Sequence, residues 1–446
     1  MDLREFLDKA DAAGYLLTIT RPVDPHLEMA RVIGALEGRP LLFTDVKGSA
    51  TRVAAGVCSD RRYFALALGC PPDELLFRLA EALAHRQPLP VVDSAPCQEV
   101  VEPGVDLTTL PFLTHWPHDA GPYATAAVTF IEDPDTGPSM SFHRLLRLDE
   151  RRFAARVVEG RGTHTALGKA QGDLSVAICI GLPPHVLLAA AMSPSPDVDE
   201  LTIAQALAPT PVVRCRTVPL RVPATAEFVL EGRITHRTVA EGPFVDLTET
   251  YDIVRQQPVI EIDLITHRQE PIYQALLPGG LEHKLLMGLP REPTIYAAVN
   301  EVCDCRNVHI TPGGTSWLHA VVQIEKHHPD DGRRAAEAAF RGHASLKHVV
   351  VLDTDVDLFD MRQVEWAIAT RFQAARDLFV FEDQPSSSLD PSAEQVPGRK
   401  ARTSKMALDA TVPWDTPHGP SEPEGYRRVA LESINVAEYV GTGDRG

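Results

Sequence analysis

Glu241-Gly242-Pro243-Phe244-Val245-Asp246 sets two carboxylates five residues apart around a Gly-Pro turn, inside a region otherwise patterned as strands. Glycine tolerates unusual φ and proline pre-sets its own, so the path between the acids is tight. Acids held this way suit chemistry in which one stays charged while the other passes a proton. A solvated acidic loop has the same spelling, so the segment needs companions. Arg144 ends Ser139-Met-Ser-Phe-His-Arg144, after a strand and the turn Asp133-Pro-Asp-Thr-Gly137. His164 lies in Gly-Thr-His-Thr, and Glu200 in Ser-Pro-Asp-Val-Asp-Glu-Leu. Taken singly, these read as a surface arginine, a satisfied histidine at a strand end and a helix N-terminal acid favoured by the macrodipole.

The elements that must position these groups follow from periodicity. Residues 73–86 carry Leu75, Leu79, Ala82 and Leu83 at helical spacing. The proline-dense segment 90–117 reads as a crossing between domains. From about Tyr123 to Ile272 the pattern turns to strands, at 126–131, 176–182, 212–222, 227–234 and 259–266. The last run sets Ile260, Ile262 and Leu264 on one face and Glu261 and Asp263 on the other. That density of strands suggests a barrel or curled sheet. Beyond Pro293 strand and helix alternate, with a buried parallel-type strand at 349–352 and a helix at 361–372. Residues 383–404 read as a long loop before ordered chain returns at Lys405.

Composition narrows the class of protein. At 446 residues the chain has room for two or three domains. A net charge of −18 argues against nucleic-acid or anionic-membrane partners. The apolar stretch 174–192 is interrupted by Pro183-Pro184-His185 and cannot span a bilayer. The N-terminal residues lack an apolar signal core, and seven scattered cysteines do not form a disulfide framework. Reduced, cytoplasmic residence is expected. Other clusters carry less chemistry. Asp353-Thr-Asp-Val-Asp357 lacks the glycine and final glutamate of an EF-hand and reads as a helix-entry cap. Glu325-Lys-His-His328 reads as solvent-facing. Thr311-Pro-Gly-Gly314 lacks the Lys-Ser/Thr of a P-loop and reads as a turn.

Taken together and in order, the pieces resemble the UbiD family of prenylated-FMN-dependent decarboxylases. The resemblance spans almost the whole chain: Leu3-Arg-Glu-Phe-Leu, Gly14-Tyr-Leu-Leu, Pro22-Val-Asp-Pro, Val222-Pro-Ala-Thr-Ala-Glu-Phe-Val-Leu-Glu-Gly232 and Glu241-Gly-Pro-Phe244. It continues through Ile265-Thr-His-Arg268, Thr311-Pro-Gly-Gly314, Trp366-Ala-Ile-Ala-Thr-Arg371 and residues 405–411. The resemblance implies an α/β fold in three parts: an N-terminal α/β segment (1–115), a flavin-binding split β-barrel (116–300) and a C-terminal α/β domain (301–446) that carries self-association.

It further implies a catalytic network on Arg144, Glu241 and Asp246, with Arg144 pairing Glu241 and gripping a substrate carboxylate, and Asp246 donating the proton that replaces CO₂. Prenylated FMN would be held with Mn²⁺ or Mg²⁺, and K⁺, by His164, Glu200 and the position of Ser139, where the family has Asn. Lys405 matches a phosphate-contacting lysine. The backbone of Ser141, Phe142 and His143, together with Met192, falls where the family packs the flavin. Val245 stands where many members have Gly, and with Ser139 it leans toward a specialised pathway over quinone biosynthesis. The implied activity is reversible, non-oxidative decarboxylation of an α,β-unsaturated or aromatic acid, by a homodimer or larger assembly supplied with cofactor by a flavin prenyltransferase. Two alternatives stay open. A plain FMN oxidoreductase would need a hydride-donor site, and no nicotinamide fingerprint follows a predicted strand. A non-catalytic flavin-binding or assembly protein would not require Arg144, Glu241 and Asp246 together.

Overall fold

The computed structural model describes residues 1–395, 401–414, 423–429, 431 and 434. The first helix, Leu3–Ala12, starts at a reciprocal cap: Asp2 accepts from the Glu5 N–H, and Glu5 accepts from the Asp2 N–H. The expected helical stripe forms as a 3₁₀ turn, Pro72–Glu74, leading into Leu75–Ala84, with Leu75, Leu76, Leu79 and Ala82 buried. A small sheet runs in the order Leu17–Ile19, Leu41–Phe43, Arg52–Ala55 and Ile272–Gln274. Its last strand comes from far along the chain.

The main sheet is built from β1 (Tyr123–Ala124), β2 (Val128–Asp133), β3 (Gly137–Phe142), β4 (Leu145–Arg147), β5 (Arg152–Ala155), β6 (Leu174–Ile180) and β7 (Phe228–Glu241). A short hairpin, β8 (Phe244–Val245) with β9 (Tyr251–Asp252), precedes β10 (Arg255–His267). Antiparallel pairing gives the order β1-β4-β5-β10-β7-β6-β2-β3, with Val100–Val101 added to β10. Helices α1 (Gly162–Lys169), α2 (Pro184–Ala191) and α3 (Glu200–Leu207) interrupt the strands, and α4 (Leu281–Gly288) follows them.

The expected alternation along β10 holds only in part. Glu231 pairs with Leu264 and Gly232 with Ile262, which leaves Asp263 as a bulge. Ile260, Ile262 and Ile265 are therefore buried, and Leu264 is half-exposed. The close approach depends on Gly232, where a Cβ would meet the Glu261 carbonyl oxygen at 1.9 Å. The run at 212–222 is not one strand of this sheet. It splits into Val212–Arg214 and Arg221–Pro223, which pair with each other, and Val212–Arg214 also pairs with Val91–Val92. Pro219 sits in the connection, where it cannot donate a ladder hydrogen bond.

The C-terminal sheet runs β11 (Asp304–Ile310), β12 (His319–Glu325), β13 (His348–Asp353), β15 (Arg402–Asp409), β14 (Leu378–Pro385). The strand expected at 349–352 is β13, buried and parallel to both neighbours, and the following helix is Met361–Arg371. The long loop is shorter than expected, because β14 extends to Pro385 and β15 begins at Arg402; residues 396–400 of it lie outside the described chain. Two further readings change. Asp353 and Asp355 do not cap a helix but flank buried Arg371, at 3.3 and 2.6 Å, while Asp360 caps the helix. Lys326 turns inward to Thr411 and Asp409. The Pro312–Gly314 segment is a 3₁₀ turn, as expected. Helices and strands share the molecule in the mixed α/β manner expected from the sequence.

Candidate active site

Glu241 is the last residue of β7, and its carboxylate is fully buried. The chain leaves it through Gly242 at φ +96° and a cis Gly242–Pro243 bond, and β8 then delivers Asp246. Arg144 lies between β3 and β4 and meets both acids. Its Nε and Nη2 donate to the two oxygens of Glu241 at 2.9 Å each, and Nη1 donates to Asp246 at 2.8 Å. A third acid joins: Nη2 also donates to Asp252 at 3.0 Å. The guanidinium stacks on Phe244, 4.7 Å from the ring centre. Tyr123 donates its hydroxyl to Glu241 at 3.1 Å and packs against the same Phe244.

One cation thus serves three carboxylates. Burial opposes the Arg144 charge, but Glu241, Asp246 and Asp252 outweigh it and hold its pKa above the ordinary value. Asp252 is shifted down: burial raises it, while Arg255 and Arg144 more than reverse that. Burial and the neighbouring Glu241 push the Tyr123 phenol up. On the other side, His283 of α4 accepts at Nδ1 from the Gly279 N–H and lies close enough to Asp246 for their charges to interact. Burial nonetheless lowers the His283 pKa. Beneath the acid hairpin, Asp119 accepts from the His115 and Trp116 N–H groups, with one oxygen unpaired, and burial raises its pKa.

A second group of expected residues gathers at the β3–α3 contact. The Glu200 side chain, at the start of α3, accepts from Ser139 Oγ at 3.2 Å and from the Met140 N–H at 2.9 Å. Burial lifts its pKa to about 7, against those hydrogen bonds. The first residue of α1, Gly162, lies over Ser139, with a Cβ position 3.9 Å from its Oγ. His164 is on α1, not at a strand end, and is exposed; it hydrogen-bonds neither Ser139 nor Glu200. Among the described residues no three His, Cys, Asp or Glu side chains form a metal-binding group. Ser139 and Glu200 offer hard oxygen donors of the type a divalent cation takes, and His164 stands two residues beyond Gly162.

His143 is buried, bonded to Thr163 and to the Arg156 carbonyl, and burial pulls its pKa down to about 4. Ser141 lies within 3.2 Å of the same imidazole, Phe142 packs against the core, and Met192 caps α2, buried. Lys405 is not a solvated residue after a loop. It sits within β15, 2% exposed, donates to the Ala344 carbonyl at 2.7 Å and lies over Phe340. Burial lowers its pKa to about 8.

Sequence reasoning missed Tyr123, Asp252 and His283. Asp252 had a signal, a third acid in the hairpin that carries Asp246. Tyr123 had none, because its partner is far away in sequence. His283 follows Gly279-Gly280, whose backbone turn is the one local hint.

A buried arginine shared by three acids, set in a mixed α/β frame, suits acid–base chemistry on an anionic substrate. The chain matches the models of the 3-octaprenyl-4-hydroxybenzoate carboxy-lyase N-terminal domain over residues 7–83, of the Rift-related domain over 90–281 and of the C-terminal domain over 284–410. It belongs to this family, the UbiD family of prenylated-FMN-dependent carboxy-lyases. It is 41% identical over 419 residues to anhydromevalonate phosphate decarboxylase of Methanothermobacter thermautotrophicus, covering 92% of this chain and 97% of that one. The UbiD-class enzyme HmfF of Pelotomaculum thermopropionicum, solved with FMN, superimposes with a TM-score of 0.92 at 38% identity, covering 99% and 100% of the two chains. The 3,4-dihydroxybenzoic acid decarboxylase of Enterobacter cloacae gives 0.89 at 27% identity, covering 98% of each. No helix among the described residues is long and apolar enough to cross a membrane.

Proposed function

We propose that this decarboxylase acts on a small α,β-unsaturated acid carrying a phosphate monoester, of the anhydromevalonate phosphate type, and that Arg144, Glu241 and Asp246 carry the reaction. The observation that supports it most is the sharing of the Arg144 guanidinium by three carboxylates. In the free protein the fork of Arg144 is already engaged. A substrate carboxylate therefore displaces Asp246 from Nη1, while Glu241 keeps its two bonds and fixes the plane of the guanidinium. Release from Arg144 leaves Asp246 free to take up a proton, with His283 and Asp119 as its titratable neighbours.

Prenylated FMN, when bound, supplies the electron sink that makes loss of CO₂ from an enoic acid accessible. The carbon–carbon bond to the carboxyl group breaks and CO₂ leaves. The electron pair stays on the substrate carbon, and Asp246 returns a proton to that carbon. Asp246 is then reprotonated from solvent, so one proton is consumed per turnover.

Ser139, Glu200 and His164 would hold Mn²⁺ or Mg²⁺ against the cofactor phosphate, with K⁺ alongside, and buried Lys405 supplies a nearby positive charge. The backbone of Ser141, Phe142 and His143, with Met192, would line the flavin. The division at residues 115 and 300, cytoplasmic residence, supply of cofactor by a flavin prenyltransferase and a homodimer complete the reading; an evolved form of HmfF is dimeric. A second reading, an aromatic acid as substrate, draws on the dihydroxybenzoic acid decarboxylases among the structural relatives.

The test is protein co-expressed with a flavin prenyltransferase, matured in oxygen and assayed in D₂O with anhydromevalonate phosphate. Prenylated FMN by mass spectrometry, CO₂ release and one deuterium at the carbon that had borne the carboxylate are expected. Full turnover with unmodified FMN, or turnover of an aromatic acid alone, would overturn the reading.

A further inference from the structure

Arg291 is an enclosed guanidinium without a carboxylate. It ends the 3₁₀ turn Leu289–Arg291 that continues α4. Its Nη2 donates to Ser193 Oγ at 2.7 Å and reaches the Ala191 carbonyl at 3.5 Å. Its Nε is buried with no acceptor, and no acceptor among the described residues reaches Nη1. The face of the group lies over the Trp317 ring, 5.5 Å from its centre. No acid among the described residues forms an ion pair with it. Burial, together with the positive charge of Arg161, drives its pKa down to about 10. Arg161 itself makes no ion pair among the described residues and stands just before α1. His343 packs edge-on against Trp317 and feels the charges of Arg291, Lys405 and Arg161.

A planar fork held by a serine and an indole, with donors unused and like charges gathered around it, costs free energy unless an anion completes it. Arginine presents its paired donors best to a carboxylate or a phosphate. The position of Arg291 indicates which anion. Helix α4 carries His283 beside Asp246 and leads directly into Arg291, eight residues on. At the helical rise that separation is about 12 Å. This run joins the neighbourhood of the Arg144 acids to Arg291.

We propose that Arg291, aided by Arg161, recognises a phosphate monoester at the end of the substrate remote from its carboxylate. The inference rests on the phosphorylated-acid reading above and adds the residues that would enforce it. It also accounts for a cation left unpaired in a chain with an excess of acids.

The experiment is calorimetric titration of FMN-loaded protein with anhydromevalonate phosphate and with the dephosphorylated acid, in the parent, Arg291→Met, Arg291→Lys and Arg161→Met, with flavin content measured in each. The parent should bind the phosphorylated acid at least fifty times more tightly. Arg291→Met should abolish that preference, with flavin content and binding of the dephosphorylated acid unchanged. Arg291→Lys should restore part of it, and Arg161→Met should reduce it severalfold. Loss of FMN from Arg291→Met would make Arg291 a cofactor ligand and overturn the proposal, as would equal weakening of both acids. Retained preference in Arg291→Met, in a parent that decarboxylates the phosphorylated acid, would sink this inference alone. A flavin-loaded parent that binds no phosphorylated acid would sink both.

Discussion

Arg144 and Arg291 are both enclosed guanidiniums stacked on an aromatic ring, yet one meets three carboxylates and the other none. At Arg144 the excess of acid means that the site must take up a proton or release an acid when an anion arrives. At Arg291, with Lys405 and Arg161 in its neighbourhood, the excess of base means that an anion arrives to a vacant partner position. Burial alone did not separate these roles; the count of counter-charges did. Arg371 makes the same point from a third direction. It is fully buried, paired with Asp353 and Asp355 and anchored to the Tyr426 carbonyl, so its charge is met although its Nε lacks an acceptor, an arrangement that suits structure.

The comparison breaks most sharply on removal of each cation. Arg144→Met should strand Glu241 and Asp246 in a low-dielectric site, while Asp252 keeps Arg255, and destabilise the protein by about 3–5 kcal/mol, read as a fall in urea midpoint. Arg291→Met should leave the flavin-free protein as stable as the parent or more so, since no acid loses its partner. A comparable loss in both variants would show that an undetected partner, or packing, governs Arg291.

The next effect isolates one acid. Asp246→Asn keeps size and shape but has no transferable proton, and turnover should drop by about a hundredfold or more with flavin content retained. Turnover and solvent hydrogen exchange near parental rates would remove Asp246 from the proton path.

At the basic end the sign of the pH response is the probe. The folded pKa of Lys405, about 8, lies below its ordinary value of 10.5. Between those values the unfolded chain binds more protons, so stability rises with pH. Relative to Lys405→Met, the flavin-free parent should gain on the order of 2–3 kcal/mol between pH 8 and 10. Below pH 8 the difference should be flat. Parallel stability curves for the two proteins would show that Lys405 is not desolvated.

The smallest effect concerns Ser139, whose hydroxyl now bonds Glu200. Ser139→Asn should slow flavin loss during dialysis against chelator severalfold, corresponding to about 1 kcal/mol. Equal or faster loss would mean that the serine, through water or its own oxygen, already completes the ion's shell.

Much of this was written in local sequence. The Gly242-Pro243 turn ties two acids into one hairpin, the period-two runs form the long strands β6, β7 and β10, and the Asp2–Glu5 cap starts the first helix. Each depends on residues within a few positions of one another, where steric limits and hydrogen-bond reach act directly. The three-residue network on Arg144 was also reachable, but only by resemblance, since Arg144 and Glu241 stand 97 residues apart.

The remainder was decided by tertiary structure. Tyr123 and His283 join the site because sheet order brings β1 beside β4 and α4 returns across the hairpin. The bulge at Asp263 moves Leu264 off the core face, because register is set between strands and not along one. Lys405 became a buried cation because β15 pairs with β13 and β14, a fact no window around the residue contains. The missing counter-charge at Arg291 is of the same kind. A sequence states which charges exist, but only packing decides which are close enough to cancel, since their interaction depends on distance and on how much water is excluded between them.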